Sequence, residues 1–170
     1  NPRNVVLAGQ GTAQYIKHGR YKYIPYTKLF ERTEAVRVLD AGRFEGYANR
    51  DSLSYRKAYG LEGIPTMLRG TLRKEGFCKS WNMFVQLGMT DDSYIVKDKQ
   101  EMTFRDFTNL FFPYNTDLTV EQKFCSYLDL RIDSDEFKKA EWLGIFSDKE
   151  ISIESASPAQ ILQFILEEKW

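Results

Sequence analysis

Metal-binding and disulfide-forming residues are scarce in this chain: 170 residues hold two cysteines and one histidine. Cys78 and Cys125 stand far apart with no C-x-x-C spacing, and His18 is alone. A classical Cys/His zinc site, which needs about four such ligands, is therefore not expected. Isolated thiols fit a reducing compartment, and cytoplasmic residence is expected. No apolar run approaches the roughly 20 residues of a membrane-spanning helix, and no signal-peptide pattern opens the chain. No membrane partner is expected. Net charge is also lacking, since 24 Lys and Arg balance 24 Asp and Glu.

What is present suits a packed core. Apolar residues make up 42% of the chain, charged residues 28% and aromatics a high 15%. That is enough for one ordinary domain or two small ones. The charge is unevenly spread: residues 1–79 carry 15 Lys/Arg against 7 Asp/Glu, and residues 80–170 carry 9 against 17. Two regions with different roles are expected, 1–79 and 80–170. The chain opens without an initiator Met, and its last periodic segment runs into Trp170 with no stop signal. It reads as a piece of a longer protein.

Residues 4–19 superficially copy a dinucleotide fingerprint. Val5-Val6-Leu7-Ala8 precedes Gly9-x-Gly11, and Glu31 follows about 20 residues on. The third glycine is replaced by Gln14, whose bulk spoils the close helix–strand packing that the fingerprint requires. One helix over 4–19 is the preferred reading, with Thr12 and Tyr15-Ile16 near helical spacing, His18 in its last turn and Gly19 as its stop. Short strands are expected at 20–25, 36–39, 44–47 and 66–73, with Asp40-Ala41-Gly42 as a turn. Helical turns are expected at 27–33 and 53–59.

From Cys78 onward the apolar period changes to 3.6. Trp81, Phe84 and Val85 mark one helix that stops near Gly88. Thr103 caps a second, with Phe104, Phe107 and Phe111 as its stripe and Pro113 as terminator. Thr119 with Gln122, and Ser157-Pro158 with Gln160, open two more; a further helix runs through Phe137, Ala140 and Ile145. The expected fold class is therefore α+β: a partial mixed sheet with flanking helices, followed by an all-helical subdomain of about five short helices. The aromatic stripes of that subdomain read as core, and no site is expected there.

Residues that look like chemistry concentrate between Gly46 and Gly76. Asn49-Arg50-Asp51-Ser52 is turn chemistry, because such side chains bond their own backbone. Arg69 and Arg73 flank Gly70-Thr71-Leu72 in a loosely alternating segment. Arg50 and Arg73 at strand ends, with the Thr71 hydroxyl, suit a carboxylate ligand, because guanidinium pairs with carboxylate through two parallel bonds. The plainer reading, that these arginines are exposed sheet ends, stays open.

The same stretch carries a resemblance. Gly46-Tyr47-x-Asn49-Arg50-Asp51-Ser52, then Leu68-Arg69-Gly70-Thr71-Leu72-Arg73 and Gly76-Phe77, is similar to the C-terminal part of saccharopine dehydrogenases of the glutamate-forming branch. The similarity continues at Val85-Gln86-Leu87-Gly88-Met89 and from Ala140 to Lys149. Ala48 replaces the family's usual proline, and Lys74 replaces its tyrosine. The resemblance implies that Arg50, Thr71, Leu72 and Arg73 contact the carboxylates of a saccharopine-like amino acid. It implies a substrate domain with an inserted helical domain. It also implies NADP(H) as cofactor of the complete enzyme, held by a Rossmann domain outside this chain. No residue here is nominated as catalytic, as a cofactor ligand or as a metal ligand, and the piece alone is expected to be inactive. Two other readings stay open: a catalytically silent binding or assembly relative, and a nucleic-acid module built on the basic half. The acidic half and the lack of a binding motif argue against the latter.

Overall fold

The computed structural model describes residues 2–7, 11–97, 101–153 and 155–169. In chain order the elements are α1 (Pro2–Leu7), β1 (Ala13–Lys17), β2 (Arg20–Ile24), α2 (Tyr26–Leu29), β3 (Glu34–Val38), β4 (Gly42–Ala48), α3 (Tyr55–Ala58) and β5 (Gly70–Lys74). They are followed by α4 (Phe77–Leu87), α5 (Phe104–Asn109), α6 (Val120–Leu128), α7 (Asp135–Leu143) and α8 (Pro158–Glu167). Small sheets in the first half and short helices in the second make the α+β class expected from the sequence. The chain forms two compact units, Ala8–Asn82 and Asn1–Leu7 with Met83–Trp170, and the division falls within α4.

The first unit holds a two-stranded hairpin, β1–β2, and a three-stranded antiparallel sheet in the order β3-β4-β5. The hairpin corrects the helix expected over 4–19. Helix α1 spans Pro2–Leu7, residues 8–10 of the expected helix lie outside the described residues, and Ala13–Lys17 is a strand paired with Arg20–Ile24. The reason lies in the turn and in tertiary pairing. His18 and Gly19 both have positive φ (51° and 73°), so they form the two-residue loop of a hairpin whose twist matches its strands. His18 is thus a turn residue and not a helix end. On its other edge β1 is stitched to distant chain: Gln14 N–H donates to the Arg50 carbonyl (2.9 Å), Ser52 N–H donates to the Gln14 carbonyl (3.0 Å), and Ile16 exchanges two bonds with Met67. The strand expected over 66–73 is correspondingly shorter, because Met67 belongs to this bridge and the ladder with β4 starts at Gly70.

One face of the three-stranded sheet is covered by rings. Phe30, just after α2, packs edge-on against Tyr47 at 4.9 Å between centroids, and Trp81 Nε1 donates to the Tyr26 hydroxyl at 2.9 Å. The opposite face, with Val36, Gly46 and Leu72, floors a cleft of about 260 Å³ that Tyr15, Ile24 and Leu68 also line.

The second unit is helical: among the described residues it holds α1, the C-terminal part of α4, and α5 to α8. Three helices open with reciprocal capping boxes, at Thr103/Asp106, Thr119/Gln122 and Ser157/Gln160. Each satisfies donors that the first turn leaves orphaned, worth about 1 kcal/mol per cap. Gly144 closes α7 at φ 88°, a left-handed position that favours glycine. The core is aromatic: Phe124 contacts Phe112, Phe137 and Phe146, and it is fully buried together with Phe107. α1 packs against α8, whose Ile161, Leu162 and Ile165 are completely buried.

Candidate functional site

The strand ladder decides what each site residue presents. Tyr47 stands opposite Thr71, Glu45 opposite Arg73, and Gly46 opposite Leu72. Directly opposed residues share a face, and side chains alternate along each strand. Thr71 and Arg73 therefore point to the ring-covered face with Glu45 and Tyr47. Leu72 points to the cleft, where its methyl lies 3.2 Å from the Cβ that a larger residue at Gly46 would carry.

Backbone groups alternate as well. Asn49 N–H donates to the Arg69 carbonyl at 2.8 Å, which places Tyr47–Thr71 and Glu45–Arg73 among the hydrogen-bonded pairs. The N–H and C=O of Leu72 then point away from β4, along the outer edge of β5. Leu72 can thus meet a ligand through its main chain while its side chain lines the other face.

Arg73 is held on its own face by two contacts. Its guanidinium lies 4.8 Å from the centre of the Phe77 ring, and its Nε points at the Tyr47 hydroxyl at 3.5 Å. Beside it, Glu45 accepts from Cys78 N–H at 2.8 Å, in the first turn of α4. A carboxylate there complements the positive end of the helix. Burial, followed by the hydrogen bond to Glu45, pushes the Cys78 thiol up to about 12. Cys78 is consequently an un-ionised packing residue and not a nucleophile.

The turn that carries Arg50 is fixed locally. Asp51 accepts from Leu53 N–H (2.8 Å) and Ser54 N–H (3.0 Å), and the Ser54 hydroxyl bonds its other oxygen. The Ser54 contacts hold the Asp51 carboxyl below its ordinary range. Ser52, fully buried, accepts from Arg69 N–H at 2.8 Å. Arg69 lies over the Tyr55 ring at 3.6 Å and donates to the Asp51 carbonyl, so it braces this turn. Arg50 itself is exposed; its stem packs over Gly11, where a Cβ would come within 3.3 Å. Gly11 has φ +106°, so its lack of a side chain serves both the backbone and Arg50.

The two departures from the family pattern fall on the opposite face from Arg73. Lys74 reaches over the Phe44 ring at 4.5 Å and toward the Ala41 carbonyl, and Ala48 is buried opposite Gly70. Sequence reasoning singled out neither Tyr47 nor Asn49 as site residues. The Thr71 hydroxyl donates to Asn49 Oδ1 at 2.7 Å. The signal was there in the period of two through Glu45, Tyr47 and Asn49, which mirrors Thr71 and Arg73 across a hairpin-like pair.

A dinucleotide does not fit the N-terminal fingerprint. A helix precedes the glycines and a strand follows them, the reverse of the order that a phosphate-binding loop requires; Ala8 and Gly9 lie outside the described residues. Among the described residues no group of three or more His, Cys, Asp or Glu could hold a metal, and no helix is long and apolar enough to cross a membrane.

Comparison with known proteins agrees with this architecture. The family model described as the saccharopine dehydrogenase C-terminal domain matches residues 1–170, and the chain belongs to that family. The mitochondrial alpha-aminoadipic semialdehyde synthase of Rattus norvegicus is 33% identical over 158 residues, covering 89% of this chain and 17% of that protein. Saccharopine dehydrogenase [NADP(+), L-glutamate-forming] of Pyricularia oryzae is 28% identical over 157 residues, covering 88% of this chain and 34% of that protein. Apo histidine-tagged saccharopine dehydrogenase (L-Glu forming) from Saccharomyces cerevisiae superposes with a TM-score of 0.75 at 24% identity, over 98% of this chain and 38% of that one. That likeness bears on the fold. The chain spans between about a sixth and two fifths of these relatives.

Proposed function

We propose that this chain is the substrate-holding and helical portion of a saccharopine dehydrogenase-like oxidoreductase. Arg50, Thr71, Leu72 and Arg73 hold the carboxylates of a saccharopine-like amino acid. The observation that carries this is the position of Arg73, oriented by Phe77 and Tyr47 on the same strand face as Thr71, with the outward main chain of Leu72 between them. Aromatic support under a guanidinium preorganises it for two-point carboxylate binding.

The name of the Pyricularia oryzae relative carries NADP(+), and the reading extends that cofactor to the complete enzyme. When bound, it supplies the hydride. The residues here orient the amino acid so that the reacting carbon meets it. The dinucleotide is assigned to a Rossmann domain outside this chain, and the chain alone is inactive.

The test is saccharopine turnover by the complete enzyme carrying Arg73→Ala. Losing one partner of a desolvated charge pair costs about 2–5 kcal/mol, so kcat/KM falls about 30-fold or more. An unchanged kcat/KM removes Arg73 from the site and with it this reading.

A further inference from the structure

We propose that Asn49 is a fifth substrate-contacting residue, and that it reverses the role of Thr71 from donor to acceptor. This rests on the carboxylate-holding reading of Arg73.

Thr71 has one hydroxyl proton, and it lies on Asn49 Oδ1 at 2.7 Å. The Thr71 oxygen therefore faces a ligand with lone pairs only. In this arrangement the Asn49 amide turns its oxygen to Thr71 and leaves Nδ2 with two N–H donors beside it. Asn49 is half-buried and held in the ladder by its own N–H to the Arg69 carbonyl at 2.8 Å, so the amide is not a floppy surface group. Among the described residues Nδ2 has no hydrogen-bond partner. Asn49, just past the end of β4, and Thr71 and Arg73 on β5 thus present donor, acceptor and cationic donor on one face of the sheet.

That order fits the zwitterionic end of an α-amino acid. The carboxylate takes the Asn49 amide and the guanidinium, and the ammonium or secondary amine donates to the Thr71 oxygen. A plain dicarboxylic acid has no proton for that oxygen and is discriminated against at this point.

Two variants of the complete enzyme separate contact from scaffolding. Asn49→Asp keeps an oxygen for the Thr71 proton but sets a carboxylate against the substrate's own; Asn49→Leu removes both functions. Expected is a KM for saccharopine raised about tenfold or more in Asn49→Leu and further in Asn49→Asp, with the KM for NADP unchanged in both. Thermal stability falls in Asn49→Leu and stays near wild type in Asn49→Asp. A KM in Asn49→Asp within twofold of wild type, while Arg73→Ala raises it, overturns the role of Asn49 alone. No effect from Arg73→Ala overturns the underlying reading instead.

Discussion

A Cβ placed on Gly70 would lie 3.0 Å from the backbone carbonyl oxygen of Tyr47. The two residues sit at the start of the β4–β5 ladder, where Thr71 and Arg73 receive their direction. Backbone on backbone leaves nothing flexible to yield. Gly70→Ala should destabilise the protein by about 1–3 kcal/mol, the usual cost of overpacking, and should weaken amino-acid binding along with it. At Gly46 the obstacles are the tips of Leu72 and Val36, so Gly46→Ala should cost less. Urea denaturation of the two variants orders them.

Arg105 ties α5 to α6 and to the segment after α7. It bonds Glu121 at 2.8–3.0 Å and Asp148 at 3.2 Å. The hydrogen bond from Arg105 holds the Glu121 carboxyl below its usual 4.5. A depressed carboxyl contributes stability that is present above its unfolded value and is lost as pH falls through the folded one. Arg105→Met should therefore destabilise by about 1–2 kcal/mol near neutrality. The deficit should begin to shrink as pH falls below about 4.5 and should close once the pH is low enough to protonate Glu121 in the folded state as well. Thermal melts across pH 3–7 show whether the two curves converge.

Legibility followed the range of the interactions. The capping residues Thr119 with Gln122, and Ser157 with Gln160, act within one turn and are readable directly. Residues 13–17 were not readable as strand, because their partners include Arg50, Ser52 and Met67, and because His18-Gly19 is an uncommon pair for a hairpin turn. The arginines divide the same way. Arg69 and Arg73 look alike in sequence, yet Tyr55 takes one for the turn while Phe77 supports the other. Nothing local distinguishes them, since the ring that decides each case comes from a different element.

Cys78 is buried and its thiol is raised to about 12, while Cys125 is half-buried with a smaller environment effect in the same direction. Thiolate is the reactive form. At pH 8.5 iodoacetamide should label Cys125 in the native protein and reach Cys78 only after unfolding. A raised thiol also stabilises the fold below pH 9.0, and that contribution is lost as pH rises toward 12. Peptide mapping of the alkylated native protein would detect early modification at Cys78, the outcome that contradicts its burial.

Leu72 offers the sharpest separation of side chain from main chain. Its side chain is 48% exposed on the cleft face, and its N–H points out from the edge of β5. Leu72→Ala should leave the KM for the amino acid within about twofold of wild type, because only apolar cleft surface is lost. Leu72→Pro removes the N–H without breaking a ladder bond, since an edge strand tolerates proline where its donor faces outward. That variant should fold, with the far-UV spectrum of the parent, and should raise the KM about tenfold, the value of a hydrogen bond to a charged group. Equal KM values for the alanine and proline variants would mean that the ligand never meets the edge of β5. The site would then rest on the side chains of Arg50, Asn49, Thr71 and Arg73.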